Sequence, residues 1–192
     1  MYSEMIKKNS DNILSSIIII LCVISSYNIS SLASKFQLKA MNLDIVPRQF
    51  SFIFKISDSI AGIVPLLIAC FIFFNTKIIL NHVFDMKVRN SSLFYYISVS
   101  MIPLLIHLYF VLYNLFTYLP TLSLAELQNF ENVRFSMGLR ISDFQFISSA
   151  SWELFFIIFI FLLYRHKIPI YKVLFSVLFA PAIFLVLYYF FL

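Results

Sequence analysis

Apolar residues run along this chain in long stretches broken by short polar interruptions, not at the period of a strand or of an amphipathic surface helix. The runs include ILSSIIIILCVISSYNISSL, FIFKISDSIAGIVPLLIACFIFF and ELFFIIFIFLLY. A bilayer core of roughly 30 Å needs about 20 mostly apolar residues per helix. Five segments meet or approach that length: residues 13–32, 52–74, 93–118, 147–164 and 168–192. The pattern predicts an all-α fold, a polytopic transmembrane helical bundle of about five spans. No internal repeat, low-complexity tail or linker interrupts it, so residues 1–192 read as a single integral membrane domain. The first run follows Lys7 and Lys8 and reaches Ser31-Leu32-Ala33, which also fits a signal peptide with an A-x-A-like cleavage site. Its length favours a span that is retained.

The polar interruptions differ from one another. NTKIILNHVFDMKVRNSS places Ile78, Ile79, Val83, Phe84 and Met86 among basic residues, which predicts a helix lying at the inner interface. Ser123-Leu124-Ala125-Glu126 has capping-box spacing and follows Pro120, with Leu124, Leu127 and Phe130 at helical intervals beyond it. A short helix on the outer surface is expected there, either as a lid between spans or as a recognition element. RHKIPIYK is a short basic turn that makes the last two spans antiparallel neighbours.

Composition sharpens the membrane reading. Apolar residues make up 61% of the chain and charged residues 12%, whereas soluble domains are about 45–50% apolar and about 25% charged. A core of this size cannot hide so much apolar surface from water. The net charge of +5 is spread over loops and not clustered, which speaks for membrane topology and against nucleic acid. Eight Lys and Arg fall on the amino-terminal side and six on the other. The amino terminus is therefore expected inside and the carboxyl terminus outside, in the inner membrane of a bacterium or, alternatively, a eukaryotic endomembrane.

Candidate chemistry is sparse. Cys22 and Cys70 lie in apolar runs, and His82, His107 and His166 have no ligand spacing. No phosphate loop, nucleophile elbow or H-E-x-x-H motif occurs. Neither a cofactor nor a metal is expected, and catalysis only on a third, less favoured reading as an intramembrane enzyme using Asp58, His107 and Glu153. Ionisable residues inside spans are costly and are functional candidates by default; here they are Lys55, Asp58, His107 and Glu153. Lys55 and Asp58 are three apart and share a helix face, and with Glu153 they could form a polar cluster near the outer leaflet. The simpler reading sets Asp58 and Glu153 at helix starts, where the macrodipole favours negative charge. For His107, four residues after Pro103, the simpler reading is a neutral ring donating to a carbonyl freed by the proline or to another helix, and the alternative is a proton-linked or substrate-binding role. Ser59, Ala61 and Gly62 form a small-residue patch that reads as a helix-packing seam. The Asn28-Ile29-Ser30 and Asn90-Ser91-Ser92 sequons read as chance.

From the second span onward the order of features resembles the YIP (Ypt-interacting protein) family of five-span membrane proteins. The likeness rests on IACFIFFNTKIILNHVFDMKVRNSSLFYYISVSMIPLLI, a span running into a basic loop and then a span with a proline. It continues in SDFQFISSASWELFFIIFIFLLYRHKIPIYKVLFSVLFAPAIFLVLYYFFL, a Trp-containing span, a basic turn and a last apolar helix. It covers about residues 50–192 and is one of hydropathy and landmarks. The family's glycines before the third span are missing. The resemblance implies a non-enzymatic membrane scaffold of bacterial type, an accessory to another integral membrane protein such as an ABC-type exporter of toxic peptides. The alternative expectation is a small-molecule binding or transport subunit, like that of a vitamin transporter, with a ligand cavity near Glu153 and His107.

Overall fold

The computed structural model describes residues 2–40, 48–129 and 133–179, and the structural statements below concern these. The order is α1 (Tyr2–Ala40), α2 (Arg48–Ile78) with a π-helical turn at Ile79–Val83, α3 (Asn90–Ser100), α4 (Ile102–Tyr118), α5 (Leu124–Gln128) and α6 (Ile141–Arg165). A helical segment at Ile170–Phe179, here α7, follows. No strand occurs among the described residues.

Four stretches are long and apolar enough to cross a membrane: Ser10–Lys39, Phe52–Val83, Asn90–Thr121 and Ile141–Arg165. Within the most apolar part of each, only 22–28% of residues are buried inside the protein. Ile106, Tyr113, Phe116 and Ile157 are among many large side chains left exposed at 60% or more. A soluble monomer does not show so much contiguous apolar surface. This is a membrane protein, and lipid is the solvent of its helices.

The observed elements differ from the expected spans in instructive ways. α1 continues well past residue 32, because no Gly or Pro interrupts Tyr2–Ala40. α3 and α4 form one apolar stretch broken at Met101, two residues before Pro103; the Met101 N–H is shared among the carbonyls of Ile97, Ser98 and Val99. That is the interruption a proline forces by removing a donor and crowding the preceding turn. The separate helix expected in the second loop is absent. α2 runs on into the π turn, burying Ile79 and Leu80, and the chain leaves helix through Asp85 at φ 51°. Of the fifth expected span, ten residues form α7, and residues 180–192 lie outside the described residues.

The described chain falls into two compact units. Of the described residues, unit 1 comprises 2–19, 66–102 and 153–179, and unit 2 comprises 20–40, 48–65, 103–129 and 133–152. The core of unit 1 includes Leu80, Leu93, Ile97, Phe155, Phe159, Leu163 and Val173, each at most 1% exposed. Phe155, Phe159 and Leu163 recur every four residues along α6 and form a ridge. Asn75 Nδ2 donates to the Ser176 carbonyl at 3.3 Å, tying α7 to α2. Unit 2 is built around aromatic contacts between Phe135 and Phe144 (5.3 Å) and between Phe110 and Phe144 (5.7 Å).

Lipid tails are as apolar as leucine, so packing and hydrogen bonds must hold such helices together. Buried hydroxyls show how this chain meets that condition. Ser15, Ser98, Ser100 and Ser151 each donate to the carbonyl four residues back, at 2.7–2.8 Å. They satisfy themselves within their own helix and add only small volume to a packed face.

Candidate functional site

Two serines of α1 break that pattern. The hydroxyls of Ser30 and Ser34 both donate to Oδ1 of Asp58 on α2, each at 2.8 Å. Asp58 is 6% exposed and Ser34 8%. Their reach is set by helix geometry: Ser30 and Ser34 are one turn apart and present their hydroxyls on one face. Further along, Gly62 lies one turn after Asp58, and an added Cβ there would stand 3.0 Å from the Cβ of Tyr27. Tyr27 thus pairs with Gly62 and Ser30 and Ser34 with Asp58, which makes an antiparallel α1–α2 seam in unit 2.

The seam uses only part of the expected small-residue patch. Gly62 lies in it, whereas Ser59 is exposed and donates to the Lys55 carbonyl at 2.8 Å, and Ala61 is half-buried. Lys55 points outward, and it is Ser30 and Ser34 whose donors meet the Asp58 carboxylate. Asp58 is also ten residues into α2, beyond reach of the macrodipole, which falls off within the first turn. Its partners are the two hydroxyls, not the helix start.

Glu153 likewise is not at a helix start. α6 begins at Ile141, twelve residues earlier, which is about 18 Å along the axis. That end is capped by Asp143, whose Oδ2 accepts the Arg140 N–H at 2.7 Å. Glu153 belongs to unit 1 and is exposed. It shares a face of α6 with Ile157 and Phe161, exposed by 60% and 57%, opposite the buried ridge of Phe155, Phe159 and Leu163. A carboxylate therefore stands on the lipid-facing side of an apolar helix.

His107 is half-buried on α4, and its Nδ1 is shielded from solvent with no hydrogen-bond partner. The carbonyl contact expected of it is not made through that nitrogen. Asn114, which sequence reasoning passed over, has a clear function in the architecture. It is 1% exposed; its Nδ2 donates to the Phe110 carbonyl at 2.8 Å, and its Oδ1 accepts the Ser136 N–H at 3.1 Å. It pins the turn at Ser136–Gly138 to α4. The available signal was an amide within the apolar run LYFVLYNLF.

Unit 2 also carries an open groove of about 490 Å³ lined by α1 and α4. Asn28, Ser31, Leu32 and Lys35 line it from α1; Tyr109, Leu112, Tyr113 and Phe116 line it from α4. Neither His107 nor Glu153 is among them, so the cavity expected beside those two residues is not this one. Beyond α4, Ser123 and Glu126 complete both halves of a capping box on α5. The Ser123 hydroxyl and backbone N–H donate to Glu126 Oε2 at 2.6 and 2.8 Å. These bonds hold the Glu126 carboxyl below the usual carboxylate range.

Among the described residues no group of three or more His, Cys, Asp or Glu is placed to hold a metal ion. No family model matches the chain, and neither a curated protein nor a solved structure does.

Proposed function

We propose that this chain is a non-enzymatic accessory protein that binds another integral membrane protein through the outward face of α6. The observation that supports this reading is Glu153, an exposed carboxylate flanked on its face by Ile157 and Phe161. Ionisable groups at membrane depth face a bundle interior or pair with a counter-charge. The outward face of α6 supplies neither, so a basic residue on a helix of a second protein completes it. The lateral apolar residues around Glu153 become the packing surface of that helix.

The YIP-like layout supports the same role. On that reading α7 and the residues after it form a fifth span, α5 rests on the outer surface, and the amino terminus lies inside the bacterial inner membrane. An ABC-type exporter is then the first partner to examine.

Purification at native expression in mild detergent tests the proposal. The wild-type chain is expected within a larger membrane complex, Glu153→Asp is expected to keep it, and Glu153→Gln to lose at least about tenfold of the bound partner. Removing one member of a buried charge pair costs about 2–5 kcal/mol, which sets that scale. An intact complex with Glu153→Gln, or a lone wild-type monomer, overturns the reading.

A further inference from the structure

The α1–α4 groove of unit 2 has a polarity that identifies its occupant. Among the described residues Lys35 lines it and no carboxylate does. Asp58 lies on another side of α1, where it accepts from Ser30 and Ser34. At 100° per residue those serines lie roughly 130° around the helix from the Asn28–Lys35 stripe. The two polar features of α1 therefore serve different faces.

The stripe from Asn28 to Lys35 is about 10 Å long. Lys35 is at its carboxyl end, four residues from Lys39, where the apolar stretch of α1 stops. The cation is thus at the water-facing end of the groove, while Leu32, Leu112 and the ring of Tyr109 line its flanks. An elongated ligand with an anionic head and an apolar tail matches this order. A lysine of this kind lays its stem along apolar surface and offers its ammonium to a phosphate as a point charge.

Charge favours a lipid over a helix of another protein: a single cation stands at one end of an otherwise uncharged lining. The groove falls within the usual range for a single small ligand, about 300–1,000 Å³. We propose that it binds one anionic phospholipid, with the phosphate at Lys35 and an acyl chain along Leu32 and Leu112. The site is separate from Glu153 and stands or falls independently of the partner reading.

Native mass spectrometry of the delipidated full chain in detergent, titrated with phosphatidylglycerol or phosphatidylcholine, tests this. The wild type is expected to bind phosphatidylglycerol at least about fivefold more tightly, the effect of one well-placed basic residue near a lipid phosphate. Lys35→Gln is expected to abolish the preference, and Lys55→Gln, on an exposed position outside the groove, to leave it unchanged. Leu112→Trp, which fills the groove, is expected to weaken both lipids, with its fold checked by circular dichroism. p-Benzoylphenylalanine in place of Tyr113 is expected to crosslink to lipid in native membranes. Equal effects of Lys35→Gln and Lys55→Gln, full competition by millimolar inorganic phosphate, or a protein adduct at position 113 would each overturn the proposal.

Discussion

An alanine in place of Gly62 tests how closely α1 and α2 are packed. The added Cβ would stand 3.0 Å from Tyr27 Cβ and 3.5 Å from its Cα and Cδ2. Carbon atoms pack best at about 3.5–4.0 Å, so the first of these contacts is too close by at least about 0.5 Å. A flexible side-chain tip could swing away, but Tyr27 Cβ is fixed to the backbone of α1. Relief requires the helices to part, which also stretches the 2.8 Å bonds from Ser30 and Ser34 to Asp58. Overpacking of this kind costs about 1–3 kcal/mol, and alanine returns about 1 kcal/mol through helix propensity. The expected net effect is a loss of about 1 kcal/mol, read by reversible unfolding in mixed micelles followed by far-UV circular dichroism. Tyr27→Ala keeps its Cβ and is expected not to rescue Gly62→Ala, whereas Tyr27→Gly is. Stability equal to or above wild type for Gly62→Ala, or rescue by Tyr27→Ala, refutes the close approach.

Three further outcomes follow from the described contacts. Ser30→Ala and Ser34→Ala should each destabilise by about 1–2 kcal/mol, the scale of a hydrogen bond to a charged group moderated by the membrane setting. Their double mutant should exceed additivity, since either hydroxyl alone can still serve Asp58 Oδ1 whereas loss of both leaves a buried carboxylate without a donor; the same unfolding assay reads this. Asn114→Leu removes the acceptor of the Ser136 N–H and should cost about 1–3 kcal/mol, with hydrogen exchange rising first across residues 133–140. The Glu126 carboxyl has a lowered folded-state pKa, so its cap contribution is complete above the ordinary carboxylate range. That contribution is lost only as pH falls through the lowered value. Exchange at the amides of residues 123–128 should therefore stay slow through mild acid and accelerate below it, and Ser123→Ala should move that onset to higher pH.

How much of this was legible in the sequence depends on which physical signal each feature leaves. Hydropathy marks where a helix meets lipid, not where it begins, so the apolar run at 147–164 was found while the start of α6 at Ile141 was not. That offset placed Glu153 at a helix end it does not occupy. Asp58 stood out because an acid in an apolar run is costly. Its partners did not, because Ser30 and Ser34 sit among other serines in SSYNISSLASK and are 28 and 24 residues away. Only the α1–α2 register distinguishes them from Ser25 and Ser31. Gly62 was legible as a small residue in a span, but the residue it meets was not. The capping box of α5 could be read directly, since Ser123 and Glu126 are local in sequence. The π turn at Ile79–Val83 has no distinct pattern in ILNHV, and its basic neighbours read as a separate surface helix.

The Glu153 face of α6 is proposed to meet another protein inside the membrane. The most direct test places p-benzoylphenylalanine at Ile157, one turn from Glu153 on that face, and irradiates cells at native expression. An adduct with a larger integral membrane protein is expected, abolished by Glu153→Gln and preserved by Glu153→Asp. Adducts with lipid alone, or a protein adduct indifferent to Glu153→Gln, would contradict it.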